Sequence, residues 1–168
     1  MNKTYNENNS KIKWLYFAIY AIACSLYLIL DYAKGEGVQV IFNLFLVFGI
    51  TSLFSICLRY VFEIFLIKFV AYCTKNESLT LKKVIDISVG SSLIPAIGMA
   101  LGIIIRILFG FGENAAFQSI WMGVAHTPYY IYVFYKLNAF KPKMAMKIVL
   151  IVYFVLYWVS QIAPIFTA

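Results

Sequence analysis

Residues 38–73 read VQVIFNLFLVFGITSLFSICLRYVFEIFLIKFVAYC, with no proline and with Gly49 as the lone glycine. As one helix this stretch would exceed about 50 Å at roughly 1.5 Å per residue, against a hydrocarbon core of about 30 Å. Splitting it into two crossings would make six in all and place the loop carrying Lys75, Lys82 and Lys83 outside the cell. Kept as one helix, it gives five crossings and leaves every lysine-rich segment on one side. The single-helix reading therefore decides the fold: residues 38–60 cross, and an extension to residue 73 enters the cytoplasmic interface. Its tail, VFEIFLIKFV, puts Phe62, Phe65, Leu66 and Phe69 on one side and Glu63 and Lys68 elsewhere. That pattern suits a helix on the membrane surface or against a neighbour.

Outward from this stretch, the charges sort by side. Lys3, Lys11 and Lys13 precede the first span, and Lys136, Lys141, Lys143 and Lys147 surround the fourth loop. The first loop balances Lys34 with Asp31 and Glu36, the third carries only Glu113, and the C-terminal tail is uncharged. Basic loops stay cytoplasmic. The expected fold is thus all-α: a polytopic bundle of five transmembrane helices, N-terminus cytoplasmic and C-terminus outside. Residues 1–13 form a polar tail and 14–166 a single helical domain, with spans near 14–32, 38–60, 84–109, 117–135 and 144–162. The expected location is the cell membrane, or an internal membrane in a eukaryotic cell. Lys34-Gly35-Glu36-Gly37 is read as a tight outer turn, and Ser78 or Thr80 as the cap of the helix that Lys82 enters.

Composition agrees. The chain is 63% hydrophobic and 12% charged, against about 25% charged for soluble domains. The net charge of +7 comes from lysines flanking apolar spans, with no base-stacking platform for nucleic acid. Such a face favours anionic lipid headgroups, at about 1 kcal/mol per well-placed lysine. Cys24, Cys57 and Cys73 form neither a CxxC nor a metal spacing. Ala21-Ile22-Ala23-Cys24 imitates a lipoprotein cleavage box, but the apolar run continues through Leu30, so a retained span is expected. The three N-x-S/T sequons (at Asn2, Asn8 and Asn76) fall on the cytoplasmic side and should be unmodified.

Ionisable residues within spans are costly, and each is a candidate partner or ligand contact. Arg59 and Glu63 lie four apart and can pair. Asp86, at similar depth, could complete their cluster. Arg106, near the outer end of the third span, can reach headgroups or Glu113. His126 precedes Pro128 by two residues, and the proline frees a backbone carbonyl that an imidazole could bond. The alternative for His126 is a polar pocket with Gln118, Thr127 and Gln161. Pro95 and Pro128 are candidate helix kinks. Tyr129, Tyr130, Tyr132 and Tyr135 read as belt and packing residues. No G-x-S-x-G elbow, Walker A or H-E-x-x-H occurs, so no catalytic residue, metal or cofactor is assigned.

Four further segments keep a particular order: Gly90-Ser91-Ser92-Leu93-Ile94-Pro95, the Leu81-Lys82-Lys83-Val84 before it, Phe117-Gln118-Ser119-Ile120-Trp121 after it, and the basic entry at 141–146. Over about residues 62–162 the chain resembles the Yip family, the Ypt/Rab-interacting integral membrane proteins, in its bacterial form. Ser91 stands where the family's G-Y-x-L-x-P signature has Tyr, and the eukaryotic D-L-Y-G-P segment has no counterpart. The resemblance implies five spans and a cytoplasmic N-terminus. It also implies a non-enzymatic protein acting through a membrane partner, such as a transporter accessory or a bacteriocin self-immunity protein, or through a second copy of itself. The alternative expectation is a small-solute transporter or substrate-capture subunit with a midplane site near His126.

Overall fold

The computed structural model describes residues 2–30, 37–109, 115–140 and 144–167, and all regular structure among them is helical. Six segments follow in order: α1 (Asn2–Ile29), α2 (Val38–Cys73), α3 (Leu81–Gly90), α4 (Leu93–Phe109), α5 (Ala115–Asn138) and α6 (Met144–Thr167). The expected outer turn at Lys34, the acidic Glu113 and the Lys141-Pro142-Lys143 entry lie outside the described residues.

Among the described residues four stretches are long and apolar enough to cross a membrane: Lys11–Ile29, Gln39–Cys73, Leu81–Phe109 and Met144–Ala163. The third joins α3 to α4. α5, of 24 residues, has the length of a span at about 1.5 Å per residue but carries more polar side chains, Gln118, His126 and Thr127 among them.

α2 is one uninterrupted helix. Its end is a Schellman motif: Asn76 N–H donates to Ala71 O at 2.8 Å and Lys75 N–H to Tyr72 O at 3.0 Å. Lys75 occupies the left-handed position between them, with φ 53°. The tail of α2 faces opposite to a surface helix. Glu63 is buried while Phe62, Phe65 and Phe69 point outward. A polar side turned inward and an aromatic side turned outward suit a helix whose surroundings are apolar.

Thr80 caps α3, accepting from Lys83 N–H at 3.4 Å. The third apolar stretch breaks at Ser91–Ser92, while Pro95 sits in the first turn of α4. A proline ring clashes with the carbonyl four residues earlier, here that of Ser91. The helix therefore gives way upstream of Pro95, in a position where the missing N–H costs nothing. Ser91 Oγ and Ser92 Oγ donate to Ile87 O and Val89 O, at 2.5 and 2.7 Å.

α1 packs on α2, α3 and α4; α5 lies between α4 and α6; and α6 also touches α2. The α4–α5 seam is close because Gly98 and Gly102 lie one turn apart. A Cβ at Gly98 would stand 2.8 Å from Ala125 Cβ and 2.9 Å from its Cα, and one at Gly102 would overlap the Trp121 ring. Trp121 Nε1 donates to Gly98 O at 3.0 Å across that seam. α2 and α6 bury least, 11% and 6% of their apolar stretches.

Candidate functional site

Several polar residues of the spans gather where α2 faces α1, α5 and α6. Arg59 supplies the cation. Its guanidinium lies 5.3 Å from the ring centres of Tyr129, Tyr130 and Tyr157 and 5.9 Å from that of Tyr60. Aromatic faces are negative, so four rings partly replace the water that a buried arginine loses.

One edge of Arg59 enters a hydrogen-bonded line. Nη1 donates to Tyr20 Oη at 3.1 Å, and Tyr20 Oη is bonded to His126 Nε2. His126 Nδ1 lies 2.6 Å from Met122 O. A carbonyl only accepts, so Nδ1 carries the proton and Nε2 accepts from Tyr20. The line therefore runs with consistent polarity from Arg59 through Tyr20 and His126 to the backbone of α5. His126, only 1% exposed, thus bonds a backbone carbonyl, but that of Met122 and not the Val124 carbonyl freed by Pro128. Both its nitrogens are engaged, and it offers a metal no free lone pair. The other edge of the guanidinium, Nε and Nη2, has no hydrogen-bond partner among the described residues.

Arg59 and His126 line a cavity of about 290 Å³ between α1, α2, α5 and α6, together with Tyr20, Ser52, Tyr157 and Gln161. Ser52 Oγ is also buried and without a partner among the described residues. The expected pocket around His126 thus forms in part. Gln161 joins it. Thr127 turns away, donating to Gly123 O at 2.9 Å and accepting from Trp158 Nε1 at 3.1 Å. Gln118 does not line the cavity.

The expected Arg59–Glu63 ion pair does not form. Glu63, 1% exposed, instead receives Ser88 Oγ at 2.9 Å and Tyr129 Oη at 2.7 Å, both on Oε1. Tyr129 connects the two charges, its ring against Arg59 and its hydroxyl on Glu63. Tyr60 Oη lies 2.8 Å from Ser92 Oγ; since Ser92 donates to Val89 O, Tyr60 is the donor. Asp86 does not complete this cluster either. It faces α1 and pairs with Lys13 at 2.8 Å, partly exposed.

Arg106 is buried, with Nη1 donating to Tyr27 O at 2.6 Å and its guanidinium 4.6 Å from the Tyr27 ring centre; Glu113, its expected partner, lies outside the described residues. Tyr27 lies in the last turn of α1, where carbonyls lack helical partners, so Arg106 caps α1 from α4.

Tyr20, Ser52 and Tyr157 were not expected in the site. One signal was present: Ser52 and Arg59 are seven apart, on one face of α2. Compared with protein-family models, curated proteins and solved structures, the chain finds no match.

Proposed function

We propose that this chain is a five-span membrane protein, N-terminus cytoplasmic, that binds a small carboxylate-bearing solute at Arg59 and acts without catalysis, as a carrier or substrate-capture subunit. The observation that carries this reading is the Nε–Nη2 edge of Arg59, buried and unpartnered among the described residues, on a residue that lines a cavity of about 290 Å³. That edge presents two parallel N–H donors, the fork that a carboxylate accepts in bidentate fashion. Ser52, Gln161 and Tyr157 supply neutral polar groups around the same cavity, and such a mixture orients a small ligand in an otherwise apolar pocket. The site lies among four helices, as a midplane site would.

The test is thermal unfolding of the purified protein in neutral detergent against a panel of small mono- and dicarboxylates. A ligand at one hundred times its Kd adds about 2.7 kcal/mol, a rise of several degrees. The gain should vanish in Arg59→Gln and be weakened in Arg59→Lys, which keeps the charge and loses the fork. No response to any carboxylate at millimolar concentration would sink the reading.

A second reading has its own observation. α2 and α6 turn broad apolar faces outward, which suits contact with another membrane protein, as the Yip-type resemblance implies. Affinity purification from native membrane, with mass spectrometry, separates the two. A stoichiometric membrane partner supports this reading, and a lone chain retaining a small acid supports the first.

A further inference from the structure

A second cavity, of about 260 Å³, lies between α2, α5 and α6, and Tyr130 is part of its wall. Its lining holds a single charged residue, Glu63. Oε1 of that carboxylate is held by Ser88 and Tyr129, which fixes the group in place. Oε2 has no hydrogen-bond partner among the described residues, and neither does the hydroxyl of Tyr130 in the same wall. The remainder of the lining is apolar or aromatic, including Phe134, Tyr153 and Phe154. Ile131 and Ile151, at 63% and 53% exposure, form part of the wall, so the cavity reaches the outer apolar surface between α5 and α6.

We infer that this cavity is a binding site for an amphiphilic ammonium cation, entered from the apolar surface, with Glu63 as counter-charge. Three features select that chemistry. A fixed carboxylate oxygen attracts a cation where water is scarce, and a charge in such a place is stable only when paired. Tyrosine and phenylalanine rings favour alkylammonium groups over strongly hydrated metal ions. Apolar walls accept a hydrocarbon body and give nothing to a fully polar solute. Arg59, one turn earlier, acts on Glu63 through its charge but makes neither an ion pair nor a hydrogen bond with it. It turns instead to the tyrosine rings and Tyr20, and Oε2 is left without a partner among the described residues. The inference does not depend on the carboxylate reading of the Arg59 cavity.

An ammonium of this kind occurs on a free organic cation or on a choline or ethanolamine lipid headgroup. The probe is benzyltrimethylammonium, titrated calorimetrically into full-length protein in a maltoside detergent, which carries no ammonium group. Its uncharged isostere, neopentylbenzene, is the control. Saturable binding of the cation is expected, at least tenfold tighter than the isostere. Glu63→Gln should weaken it at least tenfold, and Asp86→Asn, which alters a carboxylate outside this cavity, should leave it within about threefold. Ile131→Trp, which fills the mouth without touching Ser88 or Tyr129, should also abolish it and covers the case in which Glu63→Gln fails to fold. Competition by short-chain phosphatidylcholine but not phosphatidylglycerol would identify a lipid headgroup as the source; absence of competition would identify a free cation. Equal affinity for the isostere, or unchanged binding in folded Ile131→Trp, would overturn the inference.

Discussion

At the scale of single residues, two acidic groups predicted to share one cluster have opposite standing. Glu63 is enclosed and doubly hydrogen-bonded on one oxygen, while Asp86 makes a partly exposed pair with Lys13. Removing one donor from a buried carboxylate costs about 1–3 kcal/mol, whereas an exposed ion pair contributes about 0–1 kcal/mol. Tyr129→Phe should therefore lower the unfolding midpoint in detergent by several degrees, and Asp86→Ala should change it barely or not at all. Equal effects would contradict the assignment of Tyr129 as the link between Arg59 and Glu63. The i, i+4 spacing of Arg59 and Glu63 was legible as a shared helix face. What each residue meets across that face was not, because it depends on which helices bring tyrosines there. Tyr129 and Tyr130 read as belt residues in a sequence, since a tyrosine's amphipathic ring fits a headgroup layer as well as a buried cation.

At the scale of helices, the sequence reading was most informative where a local rule has one outcome. The absence of proline and near-absence of glycine from 38–73 foretold a continuous α2, and of the two caps offered for α3, Ser78 and Thr80, the structure uses Thr80. The break attributed to Pro95 lies at Ser91–Ser92 because the ring acts on the preceding turn. Gly98-Met99-Ala100-Leu101-Gly102 also carried a signal that was missed, two glycines at the spacing that lets membrane helices approach closely. The consequence is specific. Gly98→Val must drive a branched side chain against the backbone of Ala125, and overpacking of this sort costs about 1–3 kcal/mol or more. A clear fall in the unfolding midpoint is expected, while Gly37→Ala, with nothing near its added carbon, should leave it unchanged.

At the scale of the whole molecule, helical class and several membrane-length helices were readable from composition and hydropathy alone. The cavities were not, because a void is set by how six segments meet and no local pattern encodes it. The proposed orientation rests on lysines, many of them in segments that flank the helices, and is tested by placement. A reporter fused after residue 168 should be active outside the cytoplasm, and one fused in the 74–80 loop should be active inside. Reversing the charge of the N-terminal lysines should weaken that preference. The same compartment for both reporters would require an even number of crossings after α2 and would remove the five-span arrangement.

Trp121 makes the α4–α5 seam optically visible. Its indole rests against the glycine pair with its N–H on the Gly98 carbonyl, whereas Trp158 rests on α6 against Gly123 and Thr127 and Trp14 faces outward from α1. The protein's three tryptophans thus stand at three different places, two of them helix seams. A variant keeping only Trp121 emits from the α4–α5 seam, and one keeping only Trp158 from the neighbouring α5–α6 seam. Their emission colour and lifetime would follow the separation of each helix pair during binding or unfolding, so internal motion can be timed without attaching a dye.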